Sequence, residues 1–593
     1  MILAIDDGNV HGRAGQRLNC IQPAEACAYY YDARSQLFCG MCGLAVHKSH
    51  SIRFSAMAID SRSSAAELRP AWVRWLLPSI GDSFFVAQMC VLAFTALSVR
   101  LLGDAGIGWH IRTGQMILAS HGIPHVDPFS TQAGQPWFAW EWLYDVFAGW
   151  LDSVAGLNGV VWFTAVVIAA VFGGTLRLLL RRGVHVVLAL VLVLLAASAS
   201  MVHFLARPHV VSWLFTLIWF WVLDSSGKRN SASLFRSRRM LWFLPLLMLA
   251  WVNVHGGFLV GFVLLGIYWC DALWQWTRLK PEKFDDALRK IQAGRRVRVL
   301  TRIGLLSAAA TLVNPYGFQL HIHIYRYLSN RFLMDHIDEF LSPNFHYVAQ
   351  KCFAALLLLA LVALASKRRE VEVSGGLIIL FAVYSGLYAT RNIPVSSVLL
   401  VLVIGPWLSD AVDRFLERRG KVSSENVETD PLFARMQAID FSLRGHLWPI
   451  AAIALTGWIA LHGGTLGARQ LMDAHFSPKQ FPVGAVDYLE KHEADIKIVS
   501  TDAWGGYLIY RLYPRVRVVV DDRHDFYGEA FVKSYLKMVR VEPGWDEFLQ
   551  QHPARFVLAP KKSALANILL ETPAWHSTYR DDVAVLFERS DPH

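Results

Sequence analysis

Apolar runs of roughly 16–22 residues recur along most of this 593-residue chain, and no other feature limits the fold as strongly. A helix needs about 20 such residues to cross the hydrocarbon core of a bilayer. The chain is 54% hydrophobic and 18% charged, whereas soluble domains are nearer 25% charged. The sequence therefore predicts an α-helical polytopic membrane protein, and it excludes a disordered chain, a disulfide scaffold and a coiled coil.

The apolar runs predict about eleven transmembrane helices, and the charges between them predict their orientation. The candidate spans are 83–101, 158–178, 184–203, 209–224, 240–254, 257–275, 301–314, 351–366, 374–390, 393–411 and 447–463. Clusters of Lys and Arg follow the second, fourth, sixth, eighth and tenth spans. Because every second span returns the chain to the same side of the membrane, all of these clusters lie on one side. That side is the cytoplasm by the positive-inside rule.

Three regions follow from this topology. Residues 1–80 are an N-terminal cytoplasmic extension that we expect to be poorly ordered, and 81–465 form the transmembrane domain with a large first extracytoplasmic loop at 102–157. Residues 466–593 return to soluble composition, with strand-like runs alternating with helical patterns. This tail is predicted to be an extracytoplasmic α/β domain.

The N-terminal cysteines and histidines suggest zinc binding, and the positive net charge suggests nucleic-acid binding; the rest of the chain favours neither. Cys39 and Cys42, followed by His47 and His50, could bind zinc; a start codon assigned too far upstream is the other interpretation. No secretory signal peptide follows Met1. The net charge of +10 comes from dispersed clusters between spans, which argues against a nucleic-acid partner.

Polar and ionisable residues gather at the predicted non-cytoplasmic boundary of the spans. The candidates are Asp104, His110, Asp127, Glu141, Arg207, His209, His255 and Arg391. Ionisable groups beside hydrocarbon are costly and usually mark a functional path. Their convergence on one face predicts a single shared pocket.

These residue types suit transfer from a polyprenyl-phosphate carrier. A carboxylate can act as general base on an acceptor, arginine can bind a phosphate with two parallel hydrogen bonds, and histidine can share that task or move a proton. Each group also has a plainer interpretation. Asp127-Pro128 is equally typical of a turn whose carboxylate bonds nearby backbone, and tryptophans at span ends are commonly interface anchors.

At these residues the chain resembles the GT-C glycosyltransferases, which include protein O-mannosyltransferases, aminoarabinose transferases and oligosaccharyltransferases. That superfamily has an acidic residue in the first large extracytoplasmic loop, shortly after the first span, where Asp104 stands, and often a second, for which Asp127 or Glu141 is the candidate. The segment from Asp502 through Trp504 to Tyr507 is partly similar to an acceptor-recognition motif of the oligosaccharyltransferases.

The resemblance implies a membrane glycosyltransferase in a bacterial inner membrane, within the cell envelope. Asp104, Glu141 and Asp127 would be catalytic, while His110, Arg207, His209, His255, Arg391, Trp504 and Tyr507 would bind substrate. Its partners would be a lipid-linked sugar donor, membrane lipid, and a glycan, glycolipid or protein acceptor.

The resemblance leaves Asp104 either as the base or as a metal ligand, since some members of the superfamily need a divalent metal ion and others do not; no other metal ligand is assigned. Two other functions remain open on the sequence: a transporter or flippase of a lipid-linked saccharide, and a non-catalytic membrane scaffold.

Overall fold

The structure is a computed structural model, and it describes residues 75–227, 239–367, 371–420 and 439–590 apart from 133, 441–442, 444 and 493–495. The N-terminal cysteine and histidine cluster, and almost all of the predicted extension 1–80, lie outside these ranges.

The membrane domain is a bundle of helices whose bounds follow the apolar runs. Before the third predicted span these are α1 (Ile80–Phe94), α2 (Leu97–Leu101), α3 (Ile107–Ser120) and α4 (Trp142–Arg181). Next come α5 (Val186–Ser200), α6 (His209–Ser225), α7 (Leu244–Val252), α8 (Leu259–Arg278) and α9 (Phe284–Ala310). The remainder are α10 (Gln319–Ser329), α11 (Arg331–His336), α12 (Val348–Ser366), α13 (Val373–Tyr388), α14 (Ile393–Gly420) and α15 (Leu447–Leu461).

Five stretches of helix are long and apolar enough to cross a membrane within the described part of the chain. They are Trp142–Arg181, Val186–His203, Gly256–Arg278, Val348–Ser366 and Thr390–Leu416. Five shorter apolar helices fall on other predicted spans: Ile80–Phe94, His209–Ser225, Arg239–Val252, Val373–Tyr388 and Leu447–Leu461.

The predicted seventh span, 301–314, differs from the helix that is found there. Helix α9 begins at Phe284, well inside the stretch predicted to be a basic loop, and ends at Ala310. Lys and Arg have good helix propensity, so a basic stretch can continue a helix beyond the apolar region.

The first loop contains helix α3 and the beginning of α4. Helix α4 runs for 40 residues but is kinked at Gly156, whose φ of 59° and ψ of −158° are not helical. A φ of this sign favours glycine. The kink therefore separates a loop helix, which begins after Glu141, from the apolar span that follows.

The C-terminal part is built on a five-stranded sheet. After the short hairpin β1 (Thr465–Leu466) and β2 (Arg469–Gln470) come α16 (Val483–His492), β3 (Ile496–Ser500), α17 (Asp502–Leu512), β4 (Val516–Val518) and α18 (His524–Val539). They are followed by α19 (Glu547–Gln551), β5 (Phe556–Pro560), α20 (Ala564–Glu571), β6 (Trp575–Arg580) and β7 (Ala584–Arg589). The strand order is β4-β3-β5-β7-β6, with β4, β3 and β5 parallel and the other two pairings antiparallel.

This sheet packs directly on the first loop. The backbone N–H of Thr131 donates to the carbonyl of Val518 at 2.9 Å, so the loop continues the sheet at its β4 edge. Helix α3 lies against α17 at Gly506, where an added Cβ would come 2.2 Å from the carbonyl oxygen of Ala105. Since ligand sites of α/β sheets lie beyond the carboxyl ends of parallel strands, the turns after β3 and β4 are well placed to contribute to a site.

Candidate active site

A cluster centred on Arg207 joins the first loop to the C-terminal sheet domain. The Nη1 atom of Arg207 lies 2.8 Å from Oδ2 of Asp522 and 3.4 Å from Oδ1 of Asp104. The indole N–H of Trp109 donates to the other oxygen of Asp522 at 2.9 Å. A Cβ at Gly106 would lie 1.4 Å from Nη1 of Arg207, so this glycine is what allows the guanidinium to approach.

The two carboxylates fix the charge of Arg207. Burial by itself would lower the pKa of the guanidinium, but Asp104 and Asp522 outweigh that effect and raise it. The Oδ1 atom of Asp104 also accepts the backbone N–H of Gly106 at 2.8 Å. Only Nη1 of Arg207 bonds to a carboxylate among the described residues, which leaves Nε and Nη2 to bind a further anion.

Glu141 lies between two imidazoles at the entry of helix α4. Its oxygens are 3.8 Å from Nε2 of His110 and 3.8 Å from Nε2 of His255. Burial raises the pKa of Glu141 to about 8, against the opposing charges of Arg207 and Arg391. The carboxyl group is therefore mostly protonated at neutral pH and can donate a hydrogen bond.

Hydrogen bonds orient both imidazoles. Nδ1 of His255 accepts the backbone N–H of Gly257 at 3.0 Å, so the ring hydrogen lies on Nε2, which faces Glu141. Nδ1 of His110 lies 2.5 Å from the buried carboxyl group of Asp145. Burial lowers the pKa of both histidines well below the ordinary value, so both are neutral near pH 7.

A second ion pair lies beside this group. Nη1 of Arg391 is 3.5 Å from Oε1 of Glu339, and the guanidinium is 4.5 Å from the centre of the Phe340 ring. Burial acts to raise the pKa of Glu339, but Arg391, together with His203 and Arg207, lowers it to about 2. The predicted cations Arg207 and Arg391 therefore both stabilise the ionised form of Glu339.

Several residues of this region were not among the predicted site residues. Asp522 and Asp525 follow strand β4, and Nε2 of His323 lies 3.0 Å from the carboxylate of Asp525. The ring of Phe138 stacks on His323 at 4.5 Å between centres. The sequence does mark the paired carboxylates Asp521-Asp522 at a strand end as able to line this edge of the sheet, with a strand-to-turn exit as the alternative, whereas His323 lies in an amphipathic helix that gives no such signal.

Asp127 lies in a different environment from Asp104. It is 2% exposed, and its Oδ1 accepts a hydrogen bond of 2.8 Å from Nη1 of Arg523. Arg523 also binds Asp521 with two further nitrogen atoms and lies 4.8 Å from the centre of the Trp137 ring. Burial raises the pKa of Asp127, but Arg523 and Ser130 outweigh it and lower the pKa below its usual value. This buried pair holds the loop on the C-terminal domain and gives Asp127 no exposed oxygen.

The side chains of the three remaining predicted residues, Trp504, Tyr507 and His209, make hydrogen bonds within the protein. The indole N–H of Trp504 donates to the carbonyl of Gln480 at 3.0 Å, and the hydroxyl of Tyr507 accepts from Arg511 at 3.0 Å. Both side chains are buried. Nε2 of His209 donates to the carbonyl of His203 at 2.9 Å, beside Arg207 in the chain.

The donor set does not favour a metal site. Within the described ranges no group of three or more His, Cys, Asp or Glu side chains could hold a metal ion. Asp104 and Asp522 approach each other only through the guanidinium of Arg207, a cation that competes for the same oxygens.

The comparison with solved structures assigns this architecture. No family model and no curated protein matches the chain. The Archaeoglobus fulgidus oligosaccharyltransferase, in a crystal structure tethered with an acceptor peptide, matches with a TM-score of 0.51 and 12% identity over 81% of this chain and 69% of that one. The fold is that of the GT-C glycosyltransferases.

Two further matches to the GT-C fold are weaker. ArnT from Cupriavidus metallidurans, bound to undecaprenyl phosphate, gives a TM-score of 0.46 and 13% identity over 85% of this chain and 97% of that one. A complex of the Archaeoglobus fulgidus oligosaccharyltransferase with zinc and sulfate gives 0.45 and 10% over 81% and 68%.

Proposed function

We propose that this protein is a membrane glycosyltransferase that moves a sugar from a polyprenyl-phosphate donor to an extracytoplasmic acceptor. The observation that carries the proposal is the contact of Arg207 with Asp104 from the first loop and Asp522 from the C-terminal domain. This contact joins a partly exposed carboxylate and a cation suited to phosphate at one end of the bundle. The GT-C fold supports the same function.

Asp104 is the proposed general base. The acceptor oxygen attacks the anomeric carbon of the donor sugar, and the bond from that carbon to the phosphate oxygen breaks. The electron pair leaves with the carrier phosphate, and the acceptor proton passes to the carboxylate of Asp104. Its side chain is 32% exposed, the most accessible of the carboxylates that contact Arg207, so an acceptor can reach it.

Arg207, Arg391 and His255 are the proposed donors to the carrier phosphate. Nε and Nη2 of Arg207 form the edge that grips two phosphate oxygens in parallel. His255 presents its Nε2 hydrogen toward the same region, and protonated Glu141 supplies a further hydrogen bond. His110 holds Glu141 from its other side and acts as a positioning residue.

An apolar cavity of about 500 Å³ lies next to this group and suits the isoprenoid part of a carrier. It is lined by Trp142, which directly follows Glu141, and by Leu246, Leu249 and Pro315. The indole N–H of Trp142 is satisfied by Asn253 at 2.8 Å, so its ring presents an apolar surface to the cavity. The head of a lipid in this cavity would reach Glu141.

The proposal includes the topology predicted from the charges. Eleven spans would place the Arg207 cluster and the sheet domain outside a bacterial inner membrane, and the basic clusters inside. In this proposal residues 81–465 form the transmembrane domain and 466–593 the extracytoplasmic domain. The acceptor is a glycan, a glycolipid or a protein.

The test compares Asp104→Asn with wild type for donor binding and for sugar transfer from polyprenyl-phosphate sugars. Asp487→Asn is the matched control, because it removes the same charge from a partly exposed carboxylate that pairs with Arg511 in the C-terminal domain. We expect Asp104→Asn to lose transfer by at least 100-fold and to keep donor binding, with Asp487→Asn unchanged in both.

Equal transfer by Asp104→Asn and wild type would remove the proposed base. Movement of the lipid head across vesicles without cleavage of the sugar–phosphate bond would replace the transferase with a transporter.

A further inference from the structure

A second cavity, of about 960 Å³, lies at the other end of the helix bundle and is strongly basic. It opens where helices α6 and α8 end and helix α9 begins. Its lining includes Arg278, Arg289, Arg295, Arg296, Arg298 and Arg302. Asp285 supplies the single carboxylate among the described lining residues, so the cavity carries a large excess of positive charge.

The course of two helices fixes its position relative to the candidate active site. Helix α6 begins at His209, two residues after Arg207, and the cavity is lined by Ser226 and Gly227 directly after its end. Seventeen helical residues separate the two by about 25 Å. Helix α8 likewise begins close to His255 and ends at Arg278. The cavity is therefore a separate site at the opposite membrane boundary.

Three of the arginines continue an exposed apolar stripe along one face of α9. The stripe consists of Phe284, Leu288, Ile291, Arg295, Arg298 and Arg302, spaced alternately by four and three residues, and every member is exposed. Positions with this spacing lie on the same helix face. The arginines thus form a row about 10 Å long that joins an apolar surface.

The row is not neutralised by the residues around it. Arg295 and Arg302 make no hydrogen bond or ion pair within the described ranges, and Nε of Arg298 contacts only the carbonyl of Gly294 in its own helix, at 3.4 Å. Arg296, which lies beside the row, is partnered: its Nη2 donates to the carbonyl of Leu223 at 3.1 Å and its Nη1 lies 4.0 Å from Asp271. Three exposed guanidinium groups without an anionic partner in the described part of the chain favour an anionic occupant.

Exposed tryptophans place this cavity at a lipid headgroup boundary. Trp242 and Trp274 line it and are 46% and 49% exposed, and the guanidinium of Arg278 lies 4.4 Å from the centre of a Trp274 ring. Tryptophan is enriched at the level of the headgroups. Basic pockets between transmembrane helices on the cytoplasmic side bind phospholipid headgroups. A free phosphate would make no use of the exposed Leu305 and Leu306, which follow Arg302 into the predicted span.

We propose that this cavity binds the phosphate headgroup of an anionic phospholipid in the leaflet opposite the Arg207 cluster. Arg295, Arg298 and Arg302 hold the phosphate, while Leu305 and Leu306, which are exposed on the next turn of α9 inside the predicted span, contact the acyl region. The proposal does not depend on the glycosyltransferase reaction.

The experiment measures the thermal unfolding midpoint of the full-length protein in detergent during titration with dioleoyl-phosphatidylglycerol. Dioleoyl-phosphatidylcholine and inorganic phosphate are titrated in parallel. The test variant is Arg295→Ala/Arg298→Ala/Arg302→Ala. The control is Lys280→Ala/Lys283→Ala/Lys290→Ala, which removes the same charge from nearby residues that do not line the cavity.

We expect phosphatidylglycerol to stabilise wild type and the lysine variant with equal midpoint concentrations, and to act on the arginine variant only at about 100-fold higher concentration. Phosphatidylcholine and inorganic phosphate should have little effect. If the triple variant does not fold, Arg298→Ala should weaken lipid retention about fivefold in native mass spectrometry. Equal weakening in both triple variants, equal stabilisation by phosphatidylcholine, or equal stabilisation by inorganic phosphate would each overturn the proposal.

Discussion

At the scale of single residues, Glu141 shows how burial changes the use of a carboxyl group. The sequence marks it as a partner for Asp104, at the second acidic position of the first loop. In the structure Glu141 is 9% exposed between two neutral imidazoles, and burial raises its pKa to about 8. Asp104 is more exposed and contacts Arg207. The two residues are therefore suited to opposite tasks, one as proton acceptor and one as hydrogen-bond donor.

This difference predicts a split between two substitutions of Glu141. Glu141→Gln keeps a hydrogen-bond donor, so we expect it to retain transfer within about tenfold of wild type, whereas Glu141→Ala should lose about 100-fold or more. Wild-type transfer should fall as pH rises through about 8, where the donor ionises, and Glu141→Gln should lack this fall. Equal losses in the two variants would contradict the donor role. The measurement is initial rate against pH.

Glu141 also predicts a pH dependence of stability. Its folded pKa, about 8, lies above the ordinary value of 4.5, so the unfolded chain releases this proton first as pH rises. The free energy of unfolding should therefore decrease from about pH 4.5 to about 8 and then level off. Denaturant midpoints of Glu141→Gln should change less over that range. A wild-type midpoint that rises over the same range faster than that of Glu141→Gln would refute the linkage.

At the scale of elements, the contact of α3 with α17 explains the glycines of both segments. A Cβ at Gly108 would lie 2.1 Å from the carbonyl oxygen of Gly506, so the two helices meet backbone to backbone. Nε of Arg112 reinforces the contact by donating to the carbonyl of Tyr510 at 2.9 Å. The sequence around Trp504 and Tyr507, which resembles an acceptor motif, is thus used here for packing between the loop and the domain.

We therefore expect Gly108→Ala to destabilise the protein by roughly 1–3 kcal/mol, the usual cost of overpacking. Gly266→Ala is the control, because a Cβ at Gly266 meets nothing within 4 Å and lies within helix α8. The control should be neutral or slightly stabilising, since alanine has the better helix propensity. Thermal unfolding of both variants measures the difference, and equal midpoints would show that the helices can move apart freely.

Hydropathy was sufficient to locate the apolar helices, because burial in lipid demands long apolar runs. Five described helices are long and apolar enough to cross a membrane and five shorter ones fall on other predicted spans, while α9 begins earlier than its predicted span. The kink at Gly156 was not predictable. It depends on a backbone angle that one glycine permits, and the surrounding sequence reads as a continuous helix.

At the scale of the whole molecule, Arg523 links the two parts of the chain. Its side chain is 2% exposed, and it pairs with Asp521 in its own domain and with Asp127 in the first loop. Burial of the charge acts to lower the pKa of Arg523, but Asp521 and Asp127 raise it well above its ordinary value. Removing one member of such a pair leaves the others charged and desolvated.

Arg523→Met should destabilise the protein by roughly 3–5 kcal/mol and loosen the C-terminal domain from the loop. Hydrogen exchange should rise in the Thr131 amide, which bonds to Val518. Lys533→Ala is the control, because Lys533 and Glu529 form an exposed pair and such pairs are worth about 0–1 kcal/mol. Unchanged exchange at Thr131 in Arg523→Met would show that the ion pair does not hold the loop.

The long sequence separation between partners such as Asp127 and Arg523 limited what the sequence could predict of the site. Asp104, Arg207 and Glu141 were predictable because ionisable groups at span ends are unusual. Asp127 satisfied the same criterion, but its partner Arg523 lies 396 residues away and turns it into a structural residue. Hydropathy and spacing carry no information on such a pairing.

The ion pairs of Arg207 have a consequence for the order of synthesis. One of its carboxylates is at position 104 and the other at position 522. A nascent chain could insert every membrane helix and still carry an unfinished active centre until translation had passed residue 522. The proposed activity would then appear only after Asp522 had left the ribosome and crossed the bilayer, which would prevent earlier reaction with the lipid donor.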